Sequence, residues 1–189
     1  MTLIFYTQLL QFRTHERSVH MAGKNLAIEN ARIIFRNFSG KAGRFNNEGN
    51  RNFCVVLEDP HLASALKRDG WNVRELRPRN EEDEPQPYLS VAVRFDNYPP
   101  KIVLISSTGK TVLSEAEVNI LDWADISNVD LIINPSHYNV NGKEGIKAYL
   151  KTMYVTIEED EFEHKYTDVP TSAANAISDE PLDDDVIPL

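Results

Sequence analysis

The chain has one cysteine, Cys54, in 189 residues. A single thiol excludes an internal disulfide framework and any multi-cysteine zinc site, and it suits a reducing compartment. Long hydrophobic runs are also missing. No stretch approaches the roughly 20 apolar residues of a membrane span. The opening MTLIFYTQLLQFRTHERSVH lacks the basic start, continuous apolar run and small-residue cleavage site of a secretory signal. A cytoplasmic protein without membrane association is expected. Signs of catalysis are equally thin. STGKT at 107–111 suggests a phosphate loop, but Leu104 stands where that motif needs glycine, so the stretch reads as a strand-connecting turn. Asp122, Asp125 and Asp130 are conceivable divalent-metal ligands. Asp122 and Asp125, however, bracket Trp123 at an expected helix end, where solvated carboxylates are common. His137, with Asn139 and Asn141, sits in a polar turn with no legible catalytic partner, and Cys54 lies in an apolar run. No enzyme activity, cofactor or metal is expected.

What the chain does have is enough apolar content, 41%, to bury one core, and most of its patterned segments read as strands. ARIIFRNF (31–38) and NFCVVLED (52–59) are β-branched and aromatic runs joined by the long Gly- and Asn-rich loop SGKAGRFNNEGNR. Asp59 reads as an N-cap and Pro60 as the first residue of a short helix with Leu62, Ala65 and Leu66 on its apolar stripe, ended by Gly70. Further strands are expected at 71–76, 88–95, 101–106, 129–135 and 145–159, with a charged loop over 77–87. A capping box, Ser114 to Glu117, predicts a second helix running through Trp123. The fold class expected is mainly β, a small barrel with two short helices and insertions.

The formal charge of −9 is unevenly distributed: +1 over residues 1–20, +5 over 21–79, −5 over 80–157 and −10 over 158–189. A basic part and an acidic tail in one chain is the asymmetry of a nucleic-acid binder that carries a solvated tail. Single strands are held by a positive groove that follows the phosphates and by aromatic faces that stack on bases. Both elements interleave early in the chain. Arg32, Arg36, Lys41, Arg44 and Arg51 alternate with Phe35, Phe38, Phe45 and Phe53, and the loop between them has the flexibility to close over a strand. In a regular strand from Ala31, Ile33 and Phe35 share one face while Arg32, Ile34 and Arg36 share the other. Phe35 and Phe53 therefore read as core or as ligand contacts, with the burial habit of Phe favouring the core. Phe45, in a polar loop between Arg44 and Asn46, is the better stacking candidate. Trp71, Tyr88, Tyr138, Tyr149 and Tyr154 are further aromatic candidates, of which Trp71 and Tyr88 join the expected site.

From Thr167 the chain carries too little apolar surface to offset the entropy of ordering it. The segment 167–189 is expected to be a disordered linker that displays the tip PLDDDVIPL. Asp183, Asp184, Asp185, Ile187, Pro188 and Leu189 resemble the acidic C-terminal tip of bacterial single-stranded DNA-binding proteins. The match departs at the extra Val186 and at Leu189, which stands in place of a final Phe. Residues 28–160 look more like the divergent single-stranded DNA-binding proteins of double-stranded DNA bacteriophages. That resemblance implies an oligonucleotide-binding (OB) barrel, sequence-independent binding of single-stranded DNA in replication, recombination or repair, and recruitment of replication and recombination proteins by the tip. Met21-Ala-Gly-Lys reads like a natural start, so residues 1–20 are expected to be an N-terminal extension or a short element docked on the core. The binding domain is expected over 21–166. A homo-oligomer is compatible with these features and none of them requires it. An acidic DNA mimic that binds a host enzyme is the alternative, favoured by net charge and disfavoured by the basic stretch 32–51.

Overall fold

The structure, a computed structural model, describes residues 19–22, 25–44, 46–78 and 85–158. The segment 1–18, Phe45, most of the charged loop, and everything from residue 159, including the linker and the tip at Asp183–Leu189, lie outside the described residues. In chain order the elements are β1 (Val19–Ala22), β2 (Asn25–Ile28), β3 (Ile33–Asn37), β4 (Arg51–Val56), α1 (Pro60–Arg68), β5 (Val73–Leu76), β6 (Gln86–Val93), β7 (Lys101–Ser106), β8 (Gly109–Leu113), a 3-10 helix (Val118–Asp122), β9 (Ile126–Val140) and β10 (Lys143–Ile157).

The apolar run from Leu26 to Phe38 supplies one barrel strand in two pieces. β2 pairs antiparallel with β9, placing Leu26 opposite Ile133. The chain then bends at Asn30, whose φ is 49°. Across the bend the contact with β9 continues, as Ala31 N donates to the Val129 carbonyl at 2.7 Å and Asn30 N to Asp130 Oδ1 at 2.8 Å. β3 then leaves β9 and pairs with β4, Ile33 opposite Val55. β4 pairs antiparallel with β6, β6 runs parallel to β10, and β10 is antiparallel to β9. The path thus returns to its starting strand. The spatial order is first, second, third, fifth, fourth, with the third and fifth parallel, which is the connectivity of the five-stranded OB barrel. β1 extends β2 outward and crosses the boundary expected at residue 20.

Burial follows the strand period of two. Phe53 and Val55 on β4 and Leu89, Val91 and Val93 on β6 point inward, all no more than 3% exposed. Among the described residues no charged or polar residue is buried with them. Cys54 lies on the opposite side of β4 and is covered nonetheless; burial pushes its thiol up from its ordinary value, with a hydrogen bond to Ser90 pulling the other way. Trp71 is also in this core, 5% exposed, where the turn after α1 bridges to Ile146.

The α1 boundaries follow local chemistry. Asp59 accepts a hydrogen bond from His61 N at 2.8 Å, Pro60 opens the first turn, and Gly70, with φ 92°, follows the last. The buried residues are Ala63 and Leu66, so the stripe is rotated from the expected Leu62, Ala65 and Leu66. The second expected helix is a different object. Ser114 N and Oγ both donate to Glu117 Oε2, at 3.0 and 2.6 Å, and hold its carboxyl below the ordinary value. The segment that follows is a five-residue 3-10 helix instead of an α-helix. Its buried residues are Val118 and Leu121, a spacing of three that superposes in a 3-10 turn and not in an α-helix. Ser107 and Thr108 of STGKT form the β7–β8 turn, with Ser106 opposite Gly109, and the rest of the stretch opens β8. Among the described residues no helix is long and apolar enough to cross a membrane.

Two of the carboxylates conceivable as metal ligands instead hold the barrel together. Asp122 takes Phe38 N at 2.6 Å and Ser39 N at 2.9 Å, where β3 runs into the loop. Asp130 accepts from Asn30 N and from Asn128 Nδ2. Asp122→Ala would leave two partly buried donors unsatisfied, at about 1–3 kcal/mol each. Urea unfolding is expected to register a loss in that range; an unchanged midpoint would remove Asp122 from the fold's supports.

Candidate nucleic-acid interface

The alternation that turns Leu89, Val91 and Val93 inward turns Tyr88, Ser90 and Ala92 outward on β6, and Arg94 follows in the same period. Beside them runs β10, with Tyr149 opposite Ala92. Tyr149 is half-buried, and two cations flank its ring: Lys147 Nζ at 5.3 Å and the Arg94 guanidinium at 5.9 Å from the centroid. Two grooves adjoin here. One, of about 740 Å³, is lined by Arg94, Tyr98, Lys101, Tyr149 and Lys151 among others. The other, of about 510 Å³, is lined by Asn46, Arg51, Asn52, Phe95 and Lys147 among others. They share Arg94 and Asp96 in their linings and so lie side by side, the two parts of a channel beside β6 and β10. Its cations, Arg51, Arg94, Lys101, Lys147 and Lys151, outnumber the carboxylates Asp96 and Glu115. Tyr154 lies farther along β10, with Lys101 Nζ 5.7 Å from its ring.

The walls are built from the loop between β3 and β4 and from the β9–β10 hairpin. The loop is closed at its base by Gly49 N donating to the Gly40 carbonyl at 2.8 Å. Asn46 organises its interior: Nδ2 donates to the Lys41 and Asn50 carbonyls at 3.0 and 2.8 Å, and Oδ1 accepts from Asn52 Nδ2 at 2.8 Å. Instead of an open flap, the loop is a hydrogen-bonded wall around an amide hub. Arg51 ends the loop with one guanidinium nitrogen 2.8 Å from Glu115 Oε1 and its guanidinium carbon 5.7 Å from the Phe95 centroid. An exposed pair of this kind adds little stability, but it fixes which way Arg51 faces. At the far end, Asn141 (φ 54°) and Gly142 (φ 75°) form the tight turn of a long hairpin. Tyr138 lies over Gly145 on the facing strand, where a Cβ would sit 2.6 Å from the phenol oxygen.

The sequence-derived candidates scatter across the barrel. Arg51 lines the channel. Tyr88 is on the same outer face but beyond the channel, opposite Arg74 of β5. Phe38 and Phe53 are corrections: both are 0% exposed and stack on each other in the core, centroids 5.3 Å apart, with no face left for a base. Trp71 is corrected in the same way by its place in the core. Phe35, which parity assigns to the core beside Ile33, is 63% exposed. The pairing slips between Ile34↔Cys54 and Asn37↔Asn52, and Phe35 takes a positive φ of 51° there. A left-handed conformation costs a non-glycine residue roughly 1–2 kcal/mol, and bulges re-aim side chains. Arg36 is committed elsewhere, donating to the Ala124 carbonyl at 2.7 Å. Arg32 lines a separate cleft beside Asn30. Lys41 lies over Trp123, its Nζ 5.3 Å from the ring, and Arg44 is exposed on the loop. Phe45 and the tip residues lie outside the described residues. Sequence reasoning missed Arg94, Phe95, Lys101, Lys147 and Lys151. A signal was present in KAYLK, where Lys147, Tyr149 and Lys151 recur at the strand period beside an apolar Ala148 and Leu150.

Residues 16–187 match the family model described as "Putative phage ssDNA-binding domain". Among solved structures, the single-stranded DNA-binding protein from bacteriophage Enc34 in complex with ssDNA is similar with a TM-score of 0.50 at 13% identity, over 74% of this chain and 89% of its own. The C-terminally truncated form of that protein is similar with a TM-score of 0.49, again at 13% identity, over 74% and 88%. No curated protein matches the sequence. At such identity the structural likeness carries the fold alone.

Proposed function

This chain belongs to the phage single-stranded-DNA-binding domain family, and from that premise we propose that it binds single-stranded DNA without sequence preference along the channel between the loop and the hairpin. The observation that carries the proposal is Tyr149 set between Lys147 and Arg94 in a channel whose cations outnumber its carboxylates. A phenol ring offers a face to any base, and flanking cations take the phosphates on either side. Arg51, Lys101 and Lys151 continue the positive track. No base-edge reader is needed for such binding, and the protein acts as a binder. Its setting is phage replication or recombination inside the host cell. Residues 167–189 act as a tether, and the tip Asp183–Leu189 recruits partner proteins from the same machinery.

The division of labour has a direct test. Deleting residues 177–189 removes five carboxylates, Asp179, Glu180 and Asp183 to Asp185, and none of the channel cations. Equilibrium titration of fluorescent oligo-dT is expected to give equal or tighter binding for the truncated chain. Capture of replication proteins by the full chain is expected to vanish with the tip. A large loss of DNA affinity on truncation would contradict the proposal.

A further inference from the structure

Trp123 has no structural reason to be where it is. Its side chain is 77% exposed, while the residues on either side of it are tied down. Asp122 holds Phe38 N and Ser39 N, and the Ala124 carbonyl accepts from Arg36 at 2.7 Å. Trp123 N itself donates to the Ile120 carbonyl at 3.2 Å. The backbone beneath the indole is therefore fixed to the barrel while the ring stands in solvent, with the Lys41 ammonium 5.3 Å from its centroid. A large apolar ring mounted on a fixed stretch of backbone outside the core, with a cation at its face, is arranged as a stacking platform.

The platform adjoins the channel through the loop. Lys41, whose ammonium covers the indole, accepts through its carbonyl from Asn37 Nδ2 and Asn46 Nδ2, both at 3.0 Å. Asn46 in turn accepts from Asn52 at 2.8 Å, and Asn46 and Asn52 both line the channel. The wall of the channel and the Trp123 platform are thus joined through Lys41.

We propose that a single strand long enough to leave the channel past the foot of this loop stacks a base on Trp123, with the adjacent phosphate held by Lys41. This second contact rests on the single-stranded-DNA reading and deepens it. It makes the footprint length-dependent: short oligonucleotides fill the channel, and longer ones engage both sites.

The two tryptophans make the test direct, since Trp71 is 5% exposed and Trp123 is 77% exposed, so solvent-exposed emission reports Trp123. The full chain is titrated with end-labelled oligo-dT from about 4 to about 16 nucleotides, the range of site sizes for one OB barrel. Label anisotropy reports binding, and tryptophan emission reports the platform. The expected result is that the shortest oligonucleotides bind without quenching exposed emission, while longer ones quench it. Trp123→Leu, its fold checked by unchanged melting, is expected to lose about tenfold or more in affinity for the long oligonucleotides and nothing for the short ones. Lys41→Gln is expected to lessen the long-oligonucleotide gain and its salt sensitivity. Binding at every length with the exposed emission unchanged, or an equal loss at all lengths in Trp123→Leu, would overturn the second contact and leave the channel reading standing. Failure of every oligonucleotide to bind would overturn both.

Discussion

Tyr149→Ala is expected to weaken binding of short oligo-dT by roughly 5- to 150-fold, the equivalent of about 1–3 kcal/mol for one stacked base. The ring lies half-buried on β10 opposite Ala92, with Lys147 Nζ and the Arg94 guanidinium 5.3 and 5.9 Å from its centroid, so truncation removes the one channel ring around which two cations are gathered. Tyr149→Phe keeps that face and is expected to bind nearly as wild type, which separates stacking from hydrogen bonding by the phenol. Lys147→Glu and Arg94→Glu should act differently. Each removes a phosphate partner, so each lowers affinity and flattens the dependence of log K on log salt by about 0.7 for every phosphate no longer neutralised. Anisotropy titrations at several salt concentrations check both patterns. A salt slope unchanged in both charge variants would remove these cations from the binding track.

Phe53→Ala is expected to cost about 3–5 kcal/mol of stability, among the largest effects of any single truncation in this barrel. Phe53 is 0% exposed and stacked on Phe38, at the centre of a core that also contains Val55, Val91 and Met153. A domain of this size has a total stability of about 5–15 kcal/mol, so the alanine variant is marginal. Phe53→Leu, which removes less volume and is expected to cost less than the alanine variant, provides the folded comparison. Chemical denaturation of both variants, with oligo-dT affinity measured on the leucine form, distinguishes a core residue from a stacking one. A folded Phe53→Leu protein with strongly reduced DNA affinity and unaltered stability would contradict its placement.

Phe53 and Tyr149 also mark the limits of what the sequence makes legible. Local chemistry is readable: Asp59 and Pro60 announce α1, KIVLIS is β7 as expected, and STGKT contains a turn. The aromatic assignments on β3 are not, and the reason is one bulge. Parity counting from Ala31 puts Phe35 with Ile33 in the core, but the slip between Ile34 and Asn37 breaks the alternation, and a one-residue shift exchanges faces. Phe35 emerges and Phe38 goes in. No propensity at those positions marks the slip, since it is set by pairing with β4. A 3-10 helix stands where an α-helix is expected because Val118 and Leu121 supply apolar spacing for one turn only. Asn141-Gly142 is a strong hairpin signal, but read as part of a polar turn it leaves Ser136–Val140 of β9 and the first two residues of β10, Lys143 and Glu144, out of the expected strands.

Charge misleads for a related reason. Segment totals point to residues 21–79 at +5 and away from residues 80–157 at −5. Yet Arg94, Lys101, Lys147 and Lys151, which line the channel, all come from the acidic segment. Pairing of β6 with β10 collects cations from distant parts of the chain onto one face, while Asp122 and Asp130 are drawn into backbone hydrogen bonds elsewhere. Net charge per segment records none of that sorting. Strand parity within β10 alone recovers Lys147, Tyr149 and Lys151 as a set.

Single-stranded DNA lying across β6 and β10 is tested most directly by ultraviolet crosslinking of a short oligo-dT to the full chain, with the adducts located by mass spectrometry. The expected adducts fall on the channel aromatics Tyr149 and Phe95, and they disappear in the Lys147→Glu, Arg94→Glu double variant. Adducts confined to surfaces outside the channel, or unaffected by that double variant, would contradict it.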